Sequence, residues 1–84
     1  MGFFKQEVID KGNKAKVVFD TPIVQEAFDD VKLAIHSAWS ECGDETTRQE
    51  LWHQLQALDR IKTWFSVAIE GGEIEQQLKE EMLP

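Results

Sequence analysis

Residues 20–51, DTPIVQEAFDDVKLAIHSAWSECGDETTRQEL, decide the fold. Asp20-Thr21-Pro22 reads as a helix start. Pro22 suits the first helical position because its missing N–H would have gone unpaired there, and Thr21 can cap the free amides of the first turn. Val24, Phe28, Val31, Ile35, Ala38 and Cys42 then recur at spacings of three and four, with Ala27, Ala34 and Trp39 on the flanks of that stripe. Asp29, Asp30, Lys32, His36 and Ser37 fall largely outside it. The pattern predicts one single-faced helix over about 22–41, roughly 30 Å long.

Gly43 is expected to end that helix in the left-handed cap conformation. After a connection at Asp44-Glu45-Thr46, the pairs Thr46/Gln49 and Thr47/Glu50 form overlapping capping boxes that start a second helix. So short a connection makes the two helices antiparallel neighbours. The second helix, about 47–70, carries Leu51, Leu55, Leu58, Ile61, Phe65, Ala68 and Ile69 on one face, and Gly71-Gly72 is expected to stop it. The predicted core sets Val24, Phe28, Val31, Ile35 and Ala38 against Leu51, Leu55, Leu58, Ile61 and Phe65.

The flanks read less sharply. Asp10-Lys11-Gly12-Asn13 is turn chemistry, which leaves 1–13 outside the helical core of 14–70. Ala15 to Phe19 is either a strand, pairing with Val8-Ile9 as a hairpin, or a short helix. Propensity leans to the strand through Val17, Val18 and Phe19. Beyond the glycines, Ile74, Leu78 and Met82 at i, i+4, i+8 suggest a short acidic C-terminal helix or tail over 73–84. The fold class is thus an all-α antiparallel hairpin with a short C-terminal helix and a short N-terminal helix or hairpin, in one small domain.

Charge and cysteine usage narrow the function. The 84 residues carry a net charge of −7. Residues 1–16 hold four lysines against two carboxylates, +2, so the remainder is −9. A body this acidic repels phosphate backbones, which argues against nucleic-acid binding. Cys42 stands alone, so no intrachain disulfide forms, in keeping with a reducing compartment such as the cytoplasm. No run approaches the ~20 apolar residues of a membrane span.

Chemistry-bearing residues do not gather. His36 and His53 lie on polar helical faces, and His36 and Cys42, six residues apart on one helix, cannot share an ion. The carboxylates sit on solvent faces beside lysine and arginine, away from the cleft that acid–base work needs. Ser37, Ser40 and Ser66 lack a nucleophile-elbow pattern, and Gly71-Gly72 lacks the Lys and Ser/Thr of a phosphate loop. The expectation is a non-enzymatic protein without cofactor or metal.

Three tryptophans carry the remaining signal. Each can bury about 150–250 Å². Trp52 and Trp64 project about 120° from the centre of the second helix's stripe, in opposite directions, and Val67 points directly away. A two-helix hairpin has no use for so wide an apolar arc. Trp52, Trp64 and Val67 are therefore the expected protein-interaction residues, for a partner or for self-association as a homo-oligomer.

In its order of residues the chain resembles a loose group of small helical-hairpin proteins of tailed phages and prophages. The resemblance runs over about 15–75: Ala15, Val18-Phe19-Asp20, Pro22, Gln25-Glu26-Ala27-Phe28, Trp39, Thr46 through Trp52, Leu55, Ala57-Leu58 and Gly71-Gly72. These proteins are often encoded among virion-assembly genes and have no established activity. The resemblance implies a short helix at Ala15–Phe19 and protein–protein contact in virion assembly, with the chain in the host cytoplasm or associated with the virion. The alternative is an acidic inhibitor that mimics DNA in the channel of a host nucleic-acid-binding protein. Lys32, Arg48, Arg60 and Lys62 interrupt the carboxylates such a mimic would align.

Overall fold

The computed structural model describes residues 4–82. It contains three helices: α1 (Gln6–Phe19), α2 (Pro22–Glu41) and α3 (Glu45–Met82). Helices α1 and α2 follow one another along the length of α3, both antiparallel to it. Contacts fix that order. Lys79 Nζ donates to Gln6 Oε1 at 3.0 Å, the Phe19 ring stacks on Phe65, and Lys62 Nζ lies over the Phe28 ring. The all-helical hairpin is as expected, and α2 occupies the span that its periodicity marked. Among the described residues, no helix is long and apolar enough to cross a membrane.

Gly71-Gly72 does not stop a helix. Helix α3 runs unbroken for 38 residues, so the expected second helix (47–70) and C-terminal helix (73–84) are one element; Leu83 and Pro84 lie outside the described residues. The reason is tertiary. Gly72 is buried where α1 crosses, and a Cβ built there would sit 2.9 Å from Gly12 Cα and 3.2 Å from the Val8 carbonyl. A Cβ on Gly12 would meet the Ala68 carbonyl and Gly72 Cα, both at 2.8 Å. Two glycines let two backbones touch. The packing gained offsets the ~1 kcal/mol that each glycine costs inside a helix.

The same contact corrects the N-terminal reading. Asp10 to Asn13 form no turn, Ala15 to Phe19 form no strand, and the stretch from residue 6 onward belongs to the helical body. Residues 6–19 are one helix whose enclosed residues, Ile9, Gly12 and Ala15, recur every third position. Turn propensity yields to burial. The short helix that the resemblance implied at Ala15–Phe19 is the last part of α1; the expectations on residues 1–3 lie outside the described residues.

Between α1 and α2 the helix breaks at Asp20 and Thr21. Thr21 Oγ1 does not cap α2; it donates back to the Val17 carbonyl at 2.8 Å. Gln25 Nε2 donates to the Phe19 carbonyl at 2.6 Å, so side chains satisfy carbonyls that the end of α1 leaves unpaired. Phe19 fills the joint. Its ring stacks on Phe65 with centroids 5.1 Å apart and meets Phe28 edge-on at 6.0 Å.

The α2–α3 connection also differs from expectation. Gly43 has no positive φ, because α2 ends through an extended Cys42 whose carbonyl accepts both Nε and Nη2 of Arg48, at 3.1 and 2.9 Å. The predicted capping boxes at Thr46 and Thr47 give way to Asp44. Its carboxylate accepts from Thr47 N at 3.3 Å and Thr47 Oγ1 at 2.9 Å, starting α3 two residues earlier than predicted.

The glycine crossing gives a prediction in which two neighbours behave oppositely. A Cβ at Gly71 would meet only Val8 Cγ1, at an ordinary 3.6 Å. Gly71→Ala should therefore raise stability by up to about 1 kcal/mol through helix propensity. Gly72→Ala should lower it by about 1–3 kcal/mol as the helices are forced apart. Urea unfolding of both variants checks this; equal effects of the same sign would contradict the crossing.

Candidate functional site

The hairpin is flat. Its principal extents are 63 × 24 × 14 Å and its radius of gyration is 18.1 Å, against about 12 Å for a compact chain of this length. Its accessible surface is 6466 Å², about 1,300 Å² more than the ~5,100 Å² of a compact monomer of this mass. Two helices side by side can cover only the line where they touch. Among the described residues the enclosed apolar side chains are Ile9, Ala15 and Ile35.

The predicted core is correspondingly half-built. Ile35 is buried, but Val31 (48 %) and Ile61 (50 %) are about half exposed, and Ala38 is exposed. These residues flank the contact line on one broad face of the hairpin. There Val31, Ala34, Ile35 and Ala38 of α2 and Leu51, Ala57, Leu58 and Ile61 of α3 line an open apolar groove of about 530 Å³. It continues along α2 through Ile23, Ala27 and Phe28, then meets Val18 and the charged Lys14, Lys11, Asp10 and Glu7 of α1 beside Trp64.

The opposite broad face is different. Lys32, His36, Gln56, Asp59 and Lys62 line its α2 half; Asn13, Lys16, Glu73, Gln76, Gln77 and Glu80 line its α1 half. The first face is mainly apolar along α2, and the second mixes these polar side chains with Trp52, Leu55 and Ile69.

A second apolar surface runs along the outer edge of α3. Trp64, Val67, Ile74 and Leu78 are all exposed, and with Gly71 their steps are three and four residues, the spacing of a helix-pairing seam. Glu70, Glu75 and Glu81 flank it.

The three residues expected to bind a partner are exposed, but only Trp64 and Val67 share a surface. Trp64 stands at the rim of the apolar face, with Lys11 Nζ 5.1 Å from its ring centroid. Val67 is on the outer edge of α3. Trp52 is on the polar face, beside Lys32 and Lys62. Sequence reasoning missed Val18 and Ile23 as surface residues and assigned Val31 and Ile61 wholly to the core. One signal pointed to them: Ala27 and Ala34 widen the α2 stripe on the side to which Ala57 and Ile61 turn.

Among the described residues, no three His, Cys, Asp or Glu side chains converge as metal ligands do. Compared with known protein families, curated proteins and solved structures, the chain matches none.

Asp44, at the hairpin's tip, is held below the ordinary carboxylate range, first by the Thr47 hydroxyl and then by the Thr47 amide. A carboxylate with a depressed folded value stabilises the fold fully above its unfolded value of about 4 and loses that contribution as pH falls through the folded value. Asp44→Ala should lower the melting temperature at pH 7, and the gap from the parent protein should narrow as pH falls below the unfolded value of about 4. Thermal melts followed by circular dichroism would show it; a gap that does not change with pH would contradict the cap.

Proposed function

We propose that this chain is a non-enzymatic assembly protein that works through protein–protein contact. The observation that carries the reading is a pair of apolar surfaces on one small hairpin that meet at Trp64: the broad face around Val31 and Ile61, and the outer edge of α3 around Val67 and Ile74. Monomeric proteins rarely leave large contiguous apolar patches open to water. A chain with two such patches can be held from two sides at once, as a component built into a larger structure is. The likeness to phage hairpin proteins gives that structure a candidate identity, the virion or an intermediate in its assembly.

The outer edge of α3 also indicates what it would accept. Carboxylates beside an apolar seam suit a partner helix or groove with apolar anchors and a Lys/Arg rim, since opposite charges at the edges of a contact set register and speed encounter. Inhibition by DNA mimicry has less support, because Lys32 and Lys62 punctuate the polar face next to Asp59.

The test is assembly itself. In a phage or lysogen that carries the gene, Ile61→Lys and Val67→Lys are each expected to reduce the yield of complete particles at least about tenfold, the equivalent of ~1.4 kcal/mol of lost contact. Each variant should keep its helical circular dichroism, because both residues are already half exposed or more. Normal yield from both folded variants would overturn the proposal.

A further inference from the structure

The broad apolar face carries a pattern that its exposure alone does not explain. Along α1 and α2 its residues read, in order, Lys14, Val18, Ile23, Ala27, then Val31, Ala34, Ala38, Glu41. The first seven line the linked grooves, and Glu41 follows Ala38 by three positions, on the same side of the helix. Folded back on itself, the series matches large with small and basic with acidic. Lys14 falls opposite Glu41, Val18 opposite Ala38, Ile23 opposite Ala34, and Ala27 opposite Val31. The midpoint of every pair lies beside Phe28.

Helix α3 offers one pair that fits the same axis. On this face Ala57 and Trp64 flank a midpoint next to Ile61. That point is level with Phe28 across the hairpin, since Lys62 Nζ reaches to 5.9 Å from the Phe28 ring centroid. A single two-fold axis, crossing the hairpin at Phe28 and Ile61, accommodates the four pairs of α1 and α2 and the Ala57–Trp64 pair of α3.

We infer that this face binds a second copy of the chain, as an isologous antiparallel dimer with its two-fold axis at Ile61. The inference rests on the contact reading above and names the occupant of one of its two surfaces. In this arrangement α2 lies over α2 and α3 over α3, Ile61 meets its own copy, and each Trp64 covers the partner's Ala57. The four pairs along α1 and α2 then form twice, as an isologous contact requires.

Area agrees. From Lys14 to Glu41 is 27 residues, about 40 Å at ~1.5 Å per residue, and two helices are about 20 Å wide. The face offers about 800 Å² per copy, the size of a standard stable interface. It would remove much of the ~1,300 Å² by which the single hairpin exceeds a compact chain. Charge fixes the direction. A parallel pairing would set the acidic tips, with Glu41, Asp44 and Glu45, at the same end of the dimer. The antiparallel one sets the α1 end, where Lys11 and Lys14 stand beside Glu7 and Asp10, against the acidic tip, with Lys14 facing Glu41. The outer edge of α3 does not suit a second copy as well, because its flanking carboxylates would face carboxylates.

Cross-linking and charge exchange test the register together. With Cys42 replaced by Ser, Ile61→Cys should oxidise to a covalent dimer in high yield, since a residue on the axis lies near its own copy. Val67→Cys, on the outer edge of α3, should not. At about 100 μM, where a micromolar Kd leaves little monomer, light scattering should give twice the 9.7 kDa chain mass. Lys14→Glu and Glu41→Lys should each weaken the dimer about three- to tenfold, and the double variant should regain most of the loss.

A monomer at that concentration would overturn the inference. So would a dimer that cross-links through residue 67 and not 61, or a double charge exchange that restores nothing. If the chain is monomeric and Ile61→Lys still blocks particle assembly, the self-pairing fails while the contact reading stands. If the dimer forms and assembly is indifferent to Ile61→Lys and Val67→Lys alike, the reverse holds.

Discussion

At Gly12 and Gly72 two helices approach until their backbones touch, with no room for a Cβ on either side. Because α1 presses on α3 at that point, the Gly71-Gly72 pair, which in isolation would favour a break, stays helical. The chain therefore keeps a helix of 38 residues where local preference would have given two shorter ones. The tight half of the molecule is here. Ile9 and Ala15 are enclosed on either side of the crossing, while the α2 half is held by looser side-chain contacts around Ile35 and the aromatic joint of Phe19, Phe28 and Phe65.

Keeping α3 straight has a cost elsewhere. A C-terminal helix folded back over the hairpin would have added a second layer and enclosed Val31, Ile61 and Trp64. A straight α3 instead carries its C-terminal half away to pair with α1, and the molecule stays one layer thick. The uncovered apolar face, and the possibility of pairing it with a second copy, follow from that choice. In a small domain with little core, association is the ordinary way to finish burying apolar surface.

Much of the architecture was legible because it depends on local chemistry. Pro22 and the three-four spacing from Val24 to Ala38 mark α2 at both ends, and the short Cys42–Asp44 connection makes α2 and α3 antiparallel. What misled was also local. Gly12-Asn13 and Gly71-Gly72 carry strong turn signals, and the partner that overrides each pair lies about sixty residues away in the chain, where no window of propensity reaches. The capping assignments failed for a related reason: Thr21 and Thr47 are both engaged at helix ends, but Thr21 serves the helix behind it and Thr47 is the donor to Asp44. For the surfaces, angular position on a helix separated Trp52, Trp64 and Val67 from the stripe. It could not tell that Trp64 and Val67 share an edge of α3 while Trp52 opens onto the opposite broad face. Nor could it tell that Val31 and Ile61 sit at the edge of a contact line too narrow to enclose them.

The continuity of α3 is the claim on which the flat hairpin and its open face rest. It can be measured by pulsed electron–electron spin resonance between nitroxides placed at Thr47 and Gln77 in a Cys42→Ser background, diluted with unlabelled chain so that pairs within one molecule dominate. An unbroken helix separates those positions by 30 residues, about 45 Å at ~1.5 Å per residue, in a single narrow distribution. A distribution centred near ~30 Å, as a chain folding back at Gly71-Gly72 would give, would contradict the account.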